Sequence, residues 1–429
     1  MSGPLRRPNP PSVHVLGNGV RVVCDPMPGL ETLALSVVAG RGARWEDEAR
    51  SGWSHLLEHM VFKGAGRRSA RDIVEAIEGQ GGQINAATGY ERTSFQVRAL
   101  AGGLDLALSV VADLVLRPTL QEADLAREKQ VVGQEIAEAC DTPDDLIFEL
   151  AQEAAFEGQP LGRSILGTVE TIGRATPGAL ADWRAGLYAP ASLVVSVAGA
   201  VDEDELLALA EREFGAAAGD GLAGDPTPGA FTPGARSVAK RLEQANLVLL
   251  MPAPGVADPD YFTLRLICEI LGGGMASRLF QEARERRGLA YAVDAYAETY
   301  AEVGVLGVFA GCAAADGAEL ARVAAGEILG LTRAIGEGEL ARAKAQLKSG
   351  IFMGRESPAV RAEQAASQLL VFGRPLSPAD SAARIDEATP GDLRRLMGHI
   401  LDAGHCAAAV LGPRPAFKAA EAFRRGLFG

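Results

Sequence analysis

Apolar residues recur along the chain with two different periods, which predict two kinds of element. Apolar or alternating runs at 33–38, 94–99 and 193–198 predict strands. Amphipathic segments at 103–116 and 318–332 have the spacing typical of surface helices. Because strands and helices follow each other without a steady β-α-β order, the pattern favours an α+β fold. We expect helices packed on one face of a mostly antiparallel sheet.

Short segments repeat at an offset near 215 residues, which indicates that one domain has been duplicated. The tetrapeptide Ala-Thr-Pro-Gly at 175–178, for example, returns at 388–391. A stretch rich in Gly and Pro separates the copies and is typical of an inter-domain linker. We therefore predict a first domain over 12–215, a linker over 216–236 and a homologous domain over 237–429.

The segment Trp53–Phe62 is predicted to be a buried helix that carries a metal-binding motif. At ~3.6 residues per turn, His55, Glu58 and His59 project from one face, so both imidazoles can reach one ion. A carboxylate beside the ion stands where a general base for water activation is needed. Only five histidines occur in 429 residues, so two of them at this spacing indicate a metal site of the H-x-x-E-H, or inverzincin, type.

A catalytic zinc site needs a third protein ligand and keeps its fourth position for water. The best candidates lie on a predicted helix that begins near Thr119, where Thr119 and Glu122 have the spacing of a capping box. Glu128 and Glu135 are two turns apart on that helix and share one face. From the spacing alone, a solvated helix edge explains these two carboxylates as well as a ligand role does.

The run Gly-Trp-Ser-His-Leu-Leu-Glu-His-Met-Val-Phe-Lys-Gly at 52–64 closely resembles the pitrilysin/insulinase family of zinc metallopeptidases, in its mitochondrial-processing-peptidase-like branch. The family takes its third zinc ligand from a glutamate far downstream, and Glu135, 76 residues after His59, stands at that position. The resemblance implies that His55, His59 and Glu135 bind one zinc ion per chain. It also implies that Glu58 is the general base.

The resemblance extends along almost the whole chain and implies further site residues. Glu128 matches an acidic residue of the family that lies beside the metal histidines and assists catalysis. Asn85 and Ala86 match a strand on which substrate lies extended, and Arg284 and Tyr291 match a pair that orients substrate and stabilises the oxyanion. By their own pattern, Asn85 and Ala86 fit an ordinary edge strand. Without the resemblance, Arg284 and Tyr291 fit a surface arginine and a half-buried tyrosine.

The net charge of −13 at pH 7 lies almost entirely on the first predicted domain. Residues 1–215 contain 19 Lys and Arg against 31 Asp and Glu. This balance argues against nucleic-acid binding, which needs a basic surface. It favours basic peptides as partners, although a generally acidic and soluble surface explains it equally well.

Targeting and redox signals predict a cytoplasmic protein. The first 11 residues lack the apolar core of a secretion signal, and no run of about 18 apolar residues predicts a membrane span. The five cysteines are odd in number and show no C-x-x-C spacing, so we expect buried free thiols in a reducing compartment.

The sequence as a whole predicts a zinc metalloendopeptidase that hydrolyses unfolded or small peptides. The alternative is a non-catalytic scaffold or peptide-binding subunit of the same fold. Large members of the family enclose substrate between four such domains, and this chain has two. The resemblance therefore implies a homodimer in which Arg284 and Tyr291 of one chain complete the zinc site of the other.

Overall fold

The computed structural model describes residues 10–429, so the expectation about targeting signals concerns a segment, residues 1–9, that lies outside the described residues. The described chain forms two compact units, and neither is one continuous stretch of sequence. The first unit comprises the described residues up to Ile136, Ile165–Pro226 and Met353–Ser377. The second unit comprises Ala137–Ser164, Thr227–Phe352 and Pro378–Gly429.

The strands and helices alternate irregularly along the described chain. The strands are β1 (Ser12–Val15), β2 (Arg21–Pro26), β3 (Thr32–Ala39), β4 (Gly64–Ala65), β5 (Arg68–Ser69), β6 (Gln83–Thr88), β7 (Thr93–Leu100), β8 (Leu193–Gly199), β9 (Gly234–Ala239), β10 (Ala245–Pro254), β11 (Ala290–Thr299), β12 (Val303–Cys312) and β13 (Ala407–Gly412). The α-helices are α1 (Trp53–Val61), α2 (Ala70–Glu78), α3 (Leu104–Leu116), α4 (Glu122–Asp141), α5 (Pro143–Ala155), α6 (Val169–Gly173), α7 (Pro177–Leu187), α8 (Glu203–Phe214), α9 (Tyr261–Gly272), α10 (Gly317–Arg333), α11 (Glu337–Gly354), α12 (Pro358–Phe372), α13 (Pro378–Glu387), α14 (Pro390–Asp402) and α15 (Lys418–Phe428).

The sheet of the first unit has six strands in the order β1-β2-β8-β3-β7-β6. Every neighbouring pair is antiparallel except β2 and β8. The predicted strands at 33–38, 94–99 and 193–198 correspond to its three central strands β3, β7 and β8. Helices α1, α2, α3, α7 and α8 bury their apolar residues against one face of this sheet.

The sheet of the second unit repeats this arrangement with five strands in the order β11-β12-β10-β13-β9. Its neighbours are antiparallel except β13 and β9. Helices α9, α10, α14 and α15 share a core with one face of the sheet. The prediction of two α+β domains with mostly antiparallel sheets is therefore confirmed.

One helix in each unit covers the opposite face of the sheet, which the sequence did not predict. Helix α12 packs on β2, β3 and β8 of the first unit, although it lies in the second half of the sequence. Helix α5 packs on β9, β10 and β13 of the second unit, although it lies in the first half. Successive residues of β2 face opposite sides: Val22 and Cys24 enter the main core, and Val23 contacts α12.

Helix α12 is attached to the first sheet by a buried ion pair as well as by apolar contacts. The guanidinium of Arg361 donates to both carboxylate oxygens of Asp25, one of them at 2.6 Å. Both residues are buried. Two turns of apolar contact, which include Ala366 and Leu369, follow along the helix.

Within the described residues, no helix is both long and apolar enough to cross a bilayer. The cytoplasmic location itself stays a prediction. The five cysteines form no disulfide, and Cys24, Cys268 and Cys312 are buried as expected. Cys140, near the end of α4, is exposed, and Cys406 is half-buried, so the expectation of burial is wrong for these two.

Candidate metal centre

Helix α1 depends on a carboxylate from outside the helix for its N-terminal cap. The residue before it is Gly52, whose φ of +89° and missing side chain leave the first N–H groups without a side-chain cap of their own. The buried carboxylate of Glu46 accepts hydrogen bonds from the N–H groups of Gly52 at 2.8 Å and Ser54 at 2.7 Å. A negative charge is favourable there because these N–H groups have no partner within the helix. The apolar residues that fix the helix in the core are Trp53, Leu56, Leu57, Met60 and Val61.

The other face of α1 brings two imidazoles to a carboxylate of α4. The ring centroids of His55 and His59 lie 4.7 Å apart. Oε2 of Glu135 lies 3.8 Å from Nε2 of His55 and 3.4 Å from Nε2 of His59. Ligands at ~2.0–2.1 Å from a tetrahedral zinc ion are roughly 3.4 Å apart. These three side chains therefore fit a zinc-sized ion, and among the described residues they form the one cluster of this kind.

Helix α4 begins later than the capping-box interpretation predicted. Its first residue is Glu122, and the hydroxyl of Thr119 donates to the carbonyl of Gly64 at 3.1 Å instead of capping the helix. Leu120 between them has a φ of +47°, which turns the chain before the helix starts. The capping box is therefore wrong, but the predicted helix exists.

Glu128 connects one metal histidine to a lysine. Its Oε2 lies 3.1 Å from Nδ1 of His59, and its Oε1 lies 2.9 Å from Nζ of Lys63. A carboxylate accepts a hydrogen bond from a protonated Nδ1, and this tautomer leaves the lone pair of Nε2 for a metal. Glu128 thus holds the His59 ring in the tautomer and orientation that coordination requires.

The other histidine of the cluster, His55, is kept neutral by its surroundings. Burial, and after it the electrostatic effect of neighbouring His59, lowers the pKa of His55 to about 4. Near pH 7 the ring of His55 is therefore uncharged, which is the form of imidazole that binds metals.

Glu58 lies beside the cluster and contacts strand β6. Burial raises the pKa of the Glu58 carboxyl, and hydrogen bonds from Thr88 oppose that rise. The hydroxyl of Thr88 donates to Oε2 of Glu58 at 2.5 Å. A carboxylate that is half-buried and next to a metal site has the surroundings expected for a general base.

Strand β6 forms the edge of the first sheet and borders an open cavity beside this centre. The cavity measures about 580 Å³. Asn85 and Ala86 lie on the strand and contribute to its wall. The wall also contains Glu58, His59, Phe62, Lys63, Val74, Glu78, Gln83 and Ile84.

Known proteins match this chain over nearly its full length. The sequence profile described as insulinase (peptidase family M16) matches residues 21–169, and the one described as peptidase M16 inactive domain matches residues 174–347. An uncharacterized zinc protease of Rickettsia felis is 34% identical over 403 residues, which cover 94% of this chain and 97% of that protein. The chain belongs to peptidase family M16.

Solved structures of more distant proteins share the fold of this chain. A protease from Helicobacter pylori has a TM-score of 0.87 at 22% identity, over 94% of this chain and 100% of that chain. A chain in the structure of complex III2 from Candida albicans has a TM-score of 0.85 at 18% identity, over 97% of this chain and 99% of that chain. At these identities the comparisons extend to the fold alone.

The M16 assignment confirms the family that the sequence resembles, and the predicted site residues divide between the two matched stretches. His55, His59 and Glu135 all lie in the stretch matched by the insulinase profile. Arg284 and Tyr291 lie in the stretch matched by the inactive-domain profile.

Arg284 and Tyr291 are described within the second unit. Arg284 lies within a π-helical turn, Phe280–Arg286, and its guanidinium lies 4.6 Å from the ring centroid of Phe280 and 5.6 Å from that of Tyr291. Tyr291 follows on β11, and 75% of it is exposed. The two residues are therefore neighbours, and their role toward substrate stays a prediction.

Three residues of the centre were missed by sequence reasoning: Glu46, Lys63 and Thr88. Lys63 lies four residues after His59, just beyond the end of α1, and could have been found by extending the helical spacing past that end. Thr88 lies two residues after Ala86 on β6, and residues two apart on a strand lie on the same side. Glu46 gave no signal, because a cap supplied from a preceding turn has no fixed spacing.

Proposed function

We propose that this M16 protein is a zinc metalloendopeptidase that hydrolyses unfolded or small peptides. The observation that supports it is the convergence of His55, His59 and Glu135, with their ligand atoms within 4.8 Å of one another, next to the carboxylate of Glu58. The related Rickettsia felis protein bears the name zinc protease. A metal held in this way by a scaffold protein would have no need of an adjacent base.

His55, His59 and Glu135 would hold the zinc ion. When bound, zinc acts as a Lewis acid that makes a water molecule more acidic and polarises the scissile carbonyl. Glu58 takes the proton of the attacking water and passes it to the leaving amine. Glu128 keeps the His59 ring in place throughout.

The edge strand β6 supports a mode of binding that is independent of peptide sequence. A peptide added beside β6 would form main-chain hydrogen bonds with Asn85 and Ala86, and the 580 Å³ cavity has room for a substrate side chain. Arg284 and Tyr291 are proposed to orient the substrate and to stabilise the oxyanion, a contribution of ~3 kcal/mol for one well-placed donor. The preference for basic peptides expected from the acidic first half stays a prediction.

The test is cleavage of a quenched fluorescent peptide by the purified protein and by its Glu58→Gln variant. We expect the protein to contain zinc, to cleave the peptide and to lose activity with a chelator. Glu58→Gln should keep zinc and peptide affinity but lose at least ~100-fold in kcat, because general-base catalysis typically contributes that much.

Exposed Glu122 offers a matched control, since Glu122→Gln removes the same charge at the start of α4, more than three turns before Glu135. Zinc-free protein, or zinc-loaded protein that binds peptide without cutting it, would favour the scaffold or peptide-binding alternative. A Glu58→Gln variant that cleaves at the rate of the parent would disprove the base assignment.

A further inference from the structure

The bond between Glu58 and Thr88 connects the metal helix to the substrate-binding edge strand. Thr88 is the last residue of β6, and its hydroxyl donates to Oε2 of Glu58 at 2.5 Å. Helix α1 contacts β6 directly. The alternation of the strand turns Ala86 and Thr88 to the same, half-buried side, whereas Asn85 and Ala87 are exposed.

The turn that follows Thr88 is held in place by the segment before α1. The N–H of Ala43 donates to the carbonyl of Gly89 at 3.0 Å, and the N–H of Arg44 donates to the carbonyl of Tyr90 at 2.8 Å. At Gly42 the two backbones come so close that an added Cβ would lie 2.1 Å from the carbonyl oxygen of Gly89. Only glycine fits there, so the approach is fixed by the backbone itself.

The same segment also fixes α1. Glu46, three residues after Ala43, accepts the hydrogen bonds that cap α1 at Gly52 and Ser54. One short segment therefore holds both the β6–β7 turn and the start of the metal helix. The separation of Glu58 and Thr88 is set by this connection and not by the two side chains alone.

We propose that Thr88 is a positioning residue for the general base. A glutamate side chain rotates about three bonds, and its terminal torsion has no sharp preference. A hydroxyl that donates to Oε2 removes this freedom and directs Oε1 toward the attacking water. The alignment of a reacting group within a fraction of an ångström is worth a large factor in rate, since a misplacement of ~1 Å can cost ~100-fold.

This proposal rests on the proposed function, since it assigns Thr88 a part in the same reaction. Thr88→Val removes the hydroxyl and keeps the shape of the side chain, and Thr88→Ser keeps the hydroxyl. The matched control is Thr93→Val, because Thr93 pairs with Thr88 across β6 and β7 but its hydroxyl donates to the carbonyl of Arg41.

We expect Thr88→Val to lower kcat by about 10- to 100-fold with little change in KM, and Thr88→Ser to stay within a few-fold of the parent. Thr93→Val should retain kcat per zinc-loaded molecule. A second readout is independent of turnover: in a Glu58→Gln background, Thr88→Val should leave zinc content and peptide affinity unchanged.

Three results overturn the positioning role. They are an unchanged kcat for Thr88→Val, an equal loss for Thr88→Ser and Thr88→Val, and a loss of peptide affinity in the Glu58→Gln background. In the first of these the parent still hydrolyses peptide, so the proposed function survives. If the zinc-loaded parent itself shows no hydrolysis, the proposed function fails and the role of Thr88 fails with it.

Discussion

Glu128 is buried, with 6% of its side chain exposed, and each of its oxygens contacts a nitrogen. A buried carboxylate is costly unless it is paired and hydrogen-bonded, and Lys63 and His59 supply those partners. In return the carboxylate orients His59 and makes its other nitrogen a better metal ligand. The role that the family resemblance implied for Glu128 thus has a physical basis in this geometry.

Glu128→Gln should weaken zinc binding by roughly 10- to 100-fold, the usual effect of losing a carboxylate behind a metal histidine. The variant keeps the shape of the side chain but removes the charge that pairs with Lys63. Competition with a fluorescent chelator measures the affinity, and Glu122→Gln at the start of the same helix is the control. Equal zinc affinity for Glu128→Gln and the parent would contradict this role.

Among the polar contacts that attach α12 to the sheet, one is more deeply buried than those of Glu363 with Ser36 and Gln96. The ion pair between Arg361 and Asp25 is bidentate and almost fully excluded from water. Removal of one partner from such a pair leaves an uncompensated charge in the interior. The contact therefore fixes where α12 lies on the sheet more than it adds net stability.

Arg361→Met should destabilise the first unit by ~3–5 kcal/mol, because the carboxylate of Asp25 stays buried without its partner. The double variant Asp25→Asn, Arg361→Met should recover most of that loss. All three tryptophans of the chain, Trp45, Trp53 and Trp183, lie in the first unit, so their fluorescence reports denaturant unfolding of that unit.

The control for this prediction is Arg71→Met, which removes one partner of an exposed ion pair with Glu75 and should change the unfolding midpoint little. If Arg361→Met unfolds at the same denaturant concentration as the parent, the buried pair does not hold α12 in place.

The periodicity of the sequence predicted where helices and strands lie, but it did not predict which element packs against which. The predicted helix at 53–62 corresponds to α1, because buried and site-facing residues alternate there with a clear helical period. The apolar face of α5 is equally regular, but no local pattern tells which sheet it covers. Only tertiary packing decides that, as it decides that Thr119 contacts Gly64 instead of capping α4.

The same limit applied within the metal centre. His55 and His59 are set by the geometry of one helix, so their convergence was predictable. Glu135 comes from another helix, and only the family resemblance distinguished it from a solvated carboxylate. The contact of Thr88 with Glu58 depends on how closely a strand approaches a helix, which the sequence does not encode locally.

At the scale of the whole molecule, the proposed homodimer gives the clearest prediction. If Arg284 and Tyr291 act on the zinc site of a partner chain, a mixture of two inactive variants should regain activity. His55→Ala and Arg284→Ala should each be inactive alone, and their mixture should recover up to about a quarter of parental activity after subunit exchange, by random pairing with one intact site per mixed dimer.

Recovery is measured with the fluorescent peptide, and exchange is verified by mass spectrometry of differently tagged chains. Two His55→Ala chains mixed in the same way are the control. A mixture that exchanges subunits and stays inactive would show that the two residues act within their own chain or not at all.

Each half of the sequence supplies a helix, α5 or α12, that covers the sheet formed mainly by the other half. A break in the chain between 216 and 236 would leave the leading fragment with every metal ligand but with one side of its sheet bare, and the trailing fragment would lack its own cover in the same way. Each fragment would expose an apolar sheet face that a helix of the other fragment covers in the intact chain, so we expect neither fragment to fold stably by itself.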